Sequence, residues 1–145
     1  MNFLLDTNVI SETAKPIPDL GVMAWLAAVD EDEVFLSVIT LAELRHGVER
    51  LPTGARRDQI DNWLTGQLRP RFANRVLSID AETADIWGRL VAGGQAAGWS
   101  ISAMDAFIAA VATRHGMTLV TRDAADFQTT GVPLFNPWTI GPVSS

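Results

Sequence analysis

Apolar residues along the chain fall into short unbroken runs and longer stripes at helical spacing, and the two patterns alternate. Phe3-Leu4-Leu5, closed by Asp6-Thr7-Asn8, predicts a buried strand opening into a helix from about Val9 to Ala14, which Pro16 and Pro18 stop. Asp19 is placed to cap a second helix carrying Val22, Trp25, Leu26 and Val29. The acidic quartet Asp30-Glu31-Asp32-Glu33 reads as a solvated link into a second strand, Val34 to Val38. From about Thr40, Leu41, Leu44, Val48 and Leu51 mark a helix ending before Pro52, and Ile60, Trp63, Leu64 and Leu68 form another stripe after Gly54. Val76 to Ile79 predicts a third strand, and Asp80 caps a helix with Ala84, Trp87, Leu90 and Val91 that Gly93-Gly94 weakens. Ser102 opens a helix running from Met104 to His115 and closed by Gly116. Leu119-Val120 and Val132 to Phe135 complete five strand candidates.

Short apolar strands alternating with helices imply an α/β fold, a five-stranded parallel sheet flanked by helices on both faces. No linker, repeat or low-complexity tract interrupts it, so one domain over residues 1–140 is expected, with 141–145 as a short tail. In such sheets ligands bind beyond the carboxyl ends of the strands, where connections diverge.

Composition narrows the chemistry available there. The 145 residues include six Phe and five Trp, enough bulk for a core. With no cysteine, disulfides, zinc–thiolate sites, iron–sulfur clusters and thiol nucleophiles are all excluded. Two histidines, His46 and His115, leave little for an imidazole metal site, and Lys15 is the single lysine. Carboxylate is the abundant reagent. Seventeen acids against eleven bases give a net charge of −6, which argues against whole-surface nucleic-acid binding but not against a local basic patch. No basic residue precedes Asp6, unlike a secretory signal. The apolar stretch from Leu20 to Val29 is far short of the ~20 residues a membrane span needs. A cytoplasmic protein with no membrane partner is the expectation.

Four acids stand where the fold would gather chemistry. Asp6 follows the first strand, where it also suits a helix N-cap. Glu43 lies off the apolar stripe of its helix, on a face shared with His46, Gly47 and Arg50, and also fits a solvated face. Asp105 completes a capping box with Ser102, yet it is set in the apolar run Ala103 to Val111, where a charge should be paired or metal-bound. Asp123 follows the fourth strand, where a turn or cap with Arg122 as counter-charge is the plainer use. Together, Asp6, Asp105 and Asp123 fall on one sheet edge, and Glu43 hangs from the helix leaving it. Converging carboxylates repel unless a cation shares them. Mg²⁺, which takes a few carboxylates plus water and phosphate oxygens, suits such a cluster and points to phosphoester hydrolysis.

These segments carry a resemblance. Phe3-Leu4-Leu5-Asp6-Thr7-Asn8-Val9-Ile10-Ser11-Glu12 resembles the opening motif of PIN-domain nucleases. Leu36 to Gly47, around Glu43, resembles their second acidic motif, Ala103 to Ala110 the third, and Leu119 to Phe127 the fourth. Phe135-Asn136-Pro137-Trp138 is similar to the tail of VapC- and FitB-type bacterial toxins. Four ordered motifs spanning residues 3 to about 138 are far more specific than any one. The resemblance implies a Mg²⁺- or Mn²⁺-dependent ribonuclease, the toxin half of a toxin–antitoxin pair. Its acidic residues fall on Asp6, Glu43, Asp105 and Asp123, of which Asp6, Asp105 and Asp123 would hold metal. Thr7 and Thr121 match polar positions beside the metal, and Asp126 is an accessory ligand or a turn residue. A homodimer, a cognate antitoxin, and promoter DNA bound only through the antitoxin complex are further implications. Thr121-Arg122-Asp123 favours the FitB-like branch, in which RNase activity is less uniform.

Charge is unevenly spread. Between Arg45 and Arg75, seven arginines and three acids give +4, which leaves −10 elsewhere. Arg45, Arg50, Arg56 and Arg57 are candidate RNA or antitoxin contacts; an ordinary solvated helix face is the alternative. A receiver domain would need a lysine after its last strand, and a haloacid-dehalogenase-type phosphatase Asp-x-Asp where this chain has Asp6-Thr7-Asn8. A DEDD-type exonuclease would show Asp-x-Glu there. The rival left standing is a catalytically weak PIN scaffold acting mainly as an antitoxin partner in a DNA-binding repressor complex.

Overall fold

Strand β1 (Phe3–Leu5) sends Leu4 to one apolar cluster and Phe3 and Leu5 to another, the two-residue alternation of a strand. Both faces of the sheet are therefore apolar, and each must be covered. The computed structural model describes residues 1–140; the expected tail at 141–145 lies outside the described residues. After β1 come α1 (Thr7–Thr13), α2 (Leu20–Ala28), β2 (Val34–Ser37) and α3 (Val38–Arg50). Helix α4 (Ala55–Trp63) continues through a π turn at Leu64–Leu68 into the short α5 (Arg69–Arg71). Then follow β3 (Val76–Leu77), α6 (Ala81–Ala97), α7 (Ala103–His115), β4 (Thr118–Val120), α8 (Ala124–Phe127), β5 (Leu134–Phe135) and a closing 3-10 turn at Pro137–Ile140.

All strand pairs are parallel, in the order β3-β2-β1-β4-β5. Phe3 aligns with Val34 on one side and with Thr118 on the other. The chain therefore winds outward from β1 to β3, returns to the far side of β1, and continues to β5. The reversal point lies between the ends of β1 and β4, where the crevice rule places ligands.

Leu5, Val34, Leu36 and Val120 pack with Val9 and Ile10 of α1, Val22 of α2 and Leu44 and Val48 of α3. On the opposite face Leu4 and Leu119 pack with Ile108, Ala109, Val111 and Ala112 of α7. The elements predicted from the pattern are all present, with shifted ends. Helix α1 begins at Thr7, because the Asp6 carboxylate caps its first N–H directly. Ser37 ends β2 and caps α3, accepting from Thr40 N at 3.2 Å, so the strand stops one residue early. Strand β3 is only Val76–Leu77.

Gly93-Gly94 does not interrupt α6, which runs on to a left-handed Gly98. Gly94 is there for space: a Cβ on it would stand 2.7–2.9 Å from the Trp99 ring. The acidic link at 30–33 is a capped 3-10 turn in which Glu31 pairs with Arg71 and Arg75.

Candidate active site

The end of β1 and the end of β4 are joined where Asp6 N donates to Val120 O at 2.9 Å. The residues immediately beyond each strand therefore face one another. Asp6 is buried, with both oxygens engaged: Oδ1 accepts from Thr7 N at 2.7 Å, and Oδ2 from the Thr121 hydroxyl at 2.8 Å. Asp6 is thus a helix cap and a site carboxylate at once. Burial raises its pKa to about 6; the two hydrogen bonds oppose that shift, and the charges of Asp105 and Glu43 add to it.

Thr121 is fully buried and organises the turn after β4. Its Oγ1 accepts from Asp123 N at 3.0 Å while donating to Asp6. Asp123 precedes α8 but makes no side-chain cap to it. Its carboxylate instead accepts from Asn8 Nδ2 at 3.2 Å, and Asn8 Oδ1 accepts from Arg122 N at 3.3 Å. Asn8 thus ties α1 to the fourth motif, an organising role that its place in a turn signal concealed.

Glu43 reaches the same edge from α3, whose Thr40, Leu44 and Val48 are buried beneath it. Thr7 Oγ1 donates to Glu43 Oε1 at 2.6 Å and lies 3.1 Å from Thr40 Oγ1. Asp105 sits in the first turn of α7, where its N–H donates to Ser102 Oγ at 3.1 Å. Partial burial raises its pKa; hydrogen bonding of its carboxyl group to the Ser102 side chain opposes this, and the charges of Glu43, Asp126 and Asp123 raise it further.

Asp6, Glu43, Asp105 and Asp123 all line one cleft of about 370 Å³, together with Thr7, Asn8, Glu12, Lys15, Arg122 and Trp138. Asp126 is exposed and stands behind this lining, with its N–H donating to Asp123 O at 2.9 Å. Another cavity, of about 390 Å³, is mainly apolar, lined by Leu5, Leu26, Trp63 and Phe72 among others, and its acid Glu31 is already ion-paired. The four acids meet in the first cleft and not in this one.

None of the four acids forms an ion pair among the described residues. Lys15, the nearby ammonium, is held by Glu12 at 2.8 Å. Among the described residues no group of three or more Asp, Glu or His side chains is drawn close enough together to hold a metal ion directly. The four acids share a cleft without closing on one point, so a cation here would have to be held largely through its own waters, a mode open to Mg²⁺.

The arginine-rich stretch is folded back on itself. Arg45 pairs with Glu49 and Asp61, and Arg57 pairs with Glu49. Arg71 and Arg75 pair with Glu31. Arg50 and Arg56 make no ion pair among the described residues; Arg56 lines a groove that shares Thr7, Lys15 and Glu43 with the acidic cleft. Those pairs lie mostly within the stretch and are already counted in its +4, so it stays net positive, with Arg50, Arg56 and Arg69 making no ion pair among the described residues. What pattern reading missed is the rim opposite: Arg122, read as a counter-charge, and Trp138, noted only as part of a tail, both line the cleft.

Comparison with known proteins shows what the chain as a whole resembles. The chain is 42% identical over 135 residues to the VapC ribonuclease Y4jK of Sinorhizobium fredii, covering 93% of this chain and 96% of that one. It is also 42% identical over 135 residues to the toxin FitB of Neisseria gonorrhoeae, covering 93% and 97%. A solved FitAB complex bound to an IR36 DNA fragment superposes with a TM-score of 0.90 at 39% identity, covering 98% of this chain and 99% of that one. The PIN domain model matches residues 3–132, nearly the whole described chain and all four acidic positions, so this chain belongs to the PIN-domain family.

Proposed function

We propose that this chain is a Mg²⁺- or Mn²⁺-dependent ribonuclease, the toxin of a toxin–antitoxin pair. One observation carries the reading. Four carboxylates from four separate chain segments share one cleft at the sheet's reversal point, with no neutralising ion pair among the described residues. A cluster raised in pKa by burial and mutual repulsion costs stability, and a bound cation removes that cost. Similarity to proteins named VapC ribonuclease and FitB toxin supports RNA as substrate, and likeness to a FitAB complex on DNA supports an antitoxin partner.

Asp6, Asp105 and Asp123 would hold the cation, directly or through water. Bound there, it supplies a lowered pKa for the attacking water and charge stabilisation at phosphorus. Asp6 presents a fixed carboxylate because Thr7 N and Thr121 Oγ1 hold both its oxygens. Glu43, oriented by Thr7 Oγ1, is placed to orient the attacking water and accept its proton. Water oxygen bonds to phosphorus as the bond to the 3′-oxygen breaks; that oxygen takes a proton from solvent water and Glu43 returns its own to solvent, giving 5′-phosphate and 3′-hydroxyl ends. A homodimer is the proposed active form. The antitoxin would occlude the cleft and carry the contacts to promoter DNA, and the pair would act in the cytoplasm, where RNA is at hand. No described helix is long and apolar enough to cross a membrane.

The test is cleavage of structured and single-stranded RNAs by antitoxin-free protein with Mg²⁺ or Mn²⁺. Activity should vanish with EDTA and in Asp6→Ala and Asp105→Ala. Equal cleavage by wild type and both variants would reveal a contaminant and refute the assignment, and cyclic phosphate ends would refute the water-attack scheme. An inert wild type would leave the chain as a binding scaffold.

A further inference from the structure

A polyanionic strand must approach a cleft lined by four acids and Glu12, so something at its rim has to attract phosphate. The cations lining the cleft are Lys15 and Arg122. Lys15 is committed to Glu12 at 2.8 Å. Arg122 forms no ion pair among the described residues.

Although Arg122 is exposed, it is held in place at three points. Its N–H donates to Asn8 Oδ1 at 3.3 Å, and its carbonyl accepts from Asn136 Nδ2 at 3.3 Å. Its guanidinium carbon lies 5.4 Å from the centre of the Trp138 ring. Trp138 is itself anchored: its N–H donates to Asn136 Oδ1 at 2.9 Å, and its indole packs against the α1/α2 side of the core. Asn136 therefore braces both members of the pair. A guanidinium resting on an aromatic face uses none of its N–H donors in that contact, so the edge of the fork remains available to phosphate oxygens.

We propose that Arg122, seated on Trp138, is the substrate-binding cation of this cleft, taking a backbone phosphate adjacent to the scissile one. Trp138 acts through it as a positioning residue. The inference rests on the ribonuclease reading and deepens it. It assigns the phosphate-binding role to the one arginine, among the described residues, that lines the acidic cleft itself; in the arginine-rich stretch Arg45 and Arg57 are paired, and Arg56 lines only the adjoining groove.

The experiment compares wild type, Arg122→Ala, Trp138→Leu and Trp138→Phe by steady-state cleavage of a single-stranded RNA. It also measures binding of that RNA, fluorophore-labelled, in EDTA across a salt series. Losing one charge-assisted phosphate contact should raise KM and Kd about tenfold in Arg122→Ala. One fewer neutralised phosphate should lower the salt slope by about 0.7. The kcat at saturating RNA should stay within about twofold of wild type, since only substrate binding is removed. Trp138→Leu keeps the charge but should raise KM severalfold, and Trp138→Phe should restore it, a rescue that a purely structural defect at this anchor would not follow through KM alone. Wild-type cleavage with unchanged KM and salt slope in Arg122→Ala overturns the inference and leaves the ribonuclease reading intact. Weakened antitoxin binding with unaltered RNA binding overturns it too. A wild type that neither binds nor cleaves RNA overturns both.

Discussion

Replacing Asp6 by asparagine isolates the energetic cost of the acidic cleft. In the metal-free protein Asp6 has a pKa of about 6 against 3.8 for an ordinary aspartate, with burial the largest cause. A raised folded-state value means the folded protein binds this proton more tightly than the unfolded chain. The stability this contributes is complete below pH 3.8 and is lost as pH rises through 6. A shift of that size corresponds to about 3 kcal/mol, a large part of a small domain's stability. Asparagine keeps an oxygen for Thr7 N, but it turns an amide toward Thr121 Oγ1, which already accepts from Asp123 N. That conflict costs about 1 kcal/mol and does not depend on pH. The diagnostic is therefore the slope and not the offset. Urea unfolding in EDTA from pH 4 to 8 should show Asp6→Asn gaining on wild type by about 2.5 kcal/mol between the two ends, since a little of the effect is already spent at pH 4. Mg²⁺ at a hundred times its Kd should return about 2.7 kcal/mol to wild type at pH 7.5, and far less to the variant. Parallel pH curves would refute the reasoning, because Asp6 would then carry no desolvation cost.

Thr121→Val keeps the volume of this buried residue but removes the donor to Asp6 Oδ2. The Asp6 carboxyl should then titrate higher than in wild type, as read by carbonyl NMR, and the fold should lose about 1–3 kcal/mol. Gly94→Ala drives a Cβ to within 3 Å of the Trp99 ring and should lower stability by about 1–3 kcal/mol. Gly93→Ala, with nothing within 4 Å, should instead raise it by about 0.5–1 kcal/mol, a contrast that thermal unfolding resolves.

The strands and helices were legible because their periods differ: Leu4 against Leu5 shows the two-residue alternation, and Leu44 and Val48 the helical stripe. Their ends were less so, since caps compete with strands for the same polar residues. Ser37 is both the last residue of β2 and the cap of α3. The Gly93-Gly94 pair was misleading for a related reason. Glycine lowers helix propensity in isolation, but here Trp99 needs the space a side chain would fill. The arginine-rich stretch shows the same limit, because counting charge along the chain cannot tell that Arg45 reaches Asp61 across two helices.

By itself the sequence determined the α/β class and the parallel sheet, and singled out four acids as the candidates, through local periodicity and four ordered motifs. Local patterns are written in neighbouring residues, and those signals needed no partner from elsewhere in the chain. Only the tertiary structure decided that Asp123 turns from its cap position toward Asn8 and the cleft. It alone sets Arg122 on Trp138 and buries Asp6 deeply enough to raise its pKa. Each of these depends on residues more than ten positions apart meeting at the reversal of the strand order, where burial and repulsion among distant side chains set the chemistry.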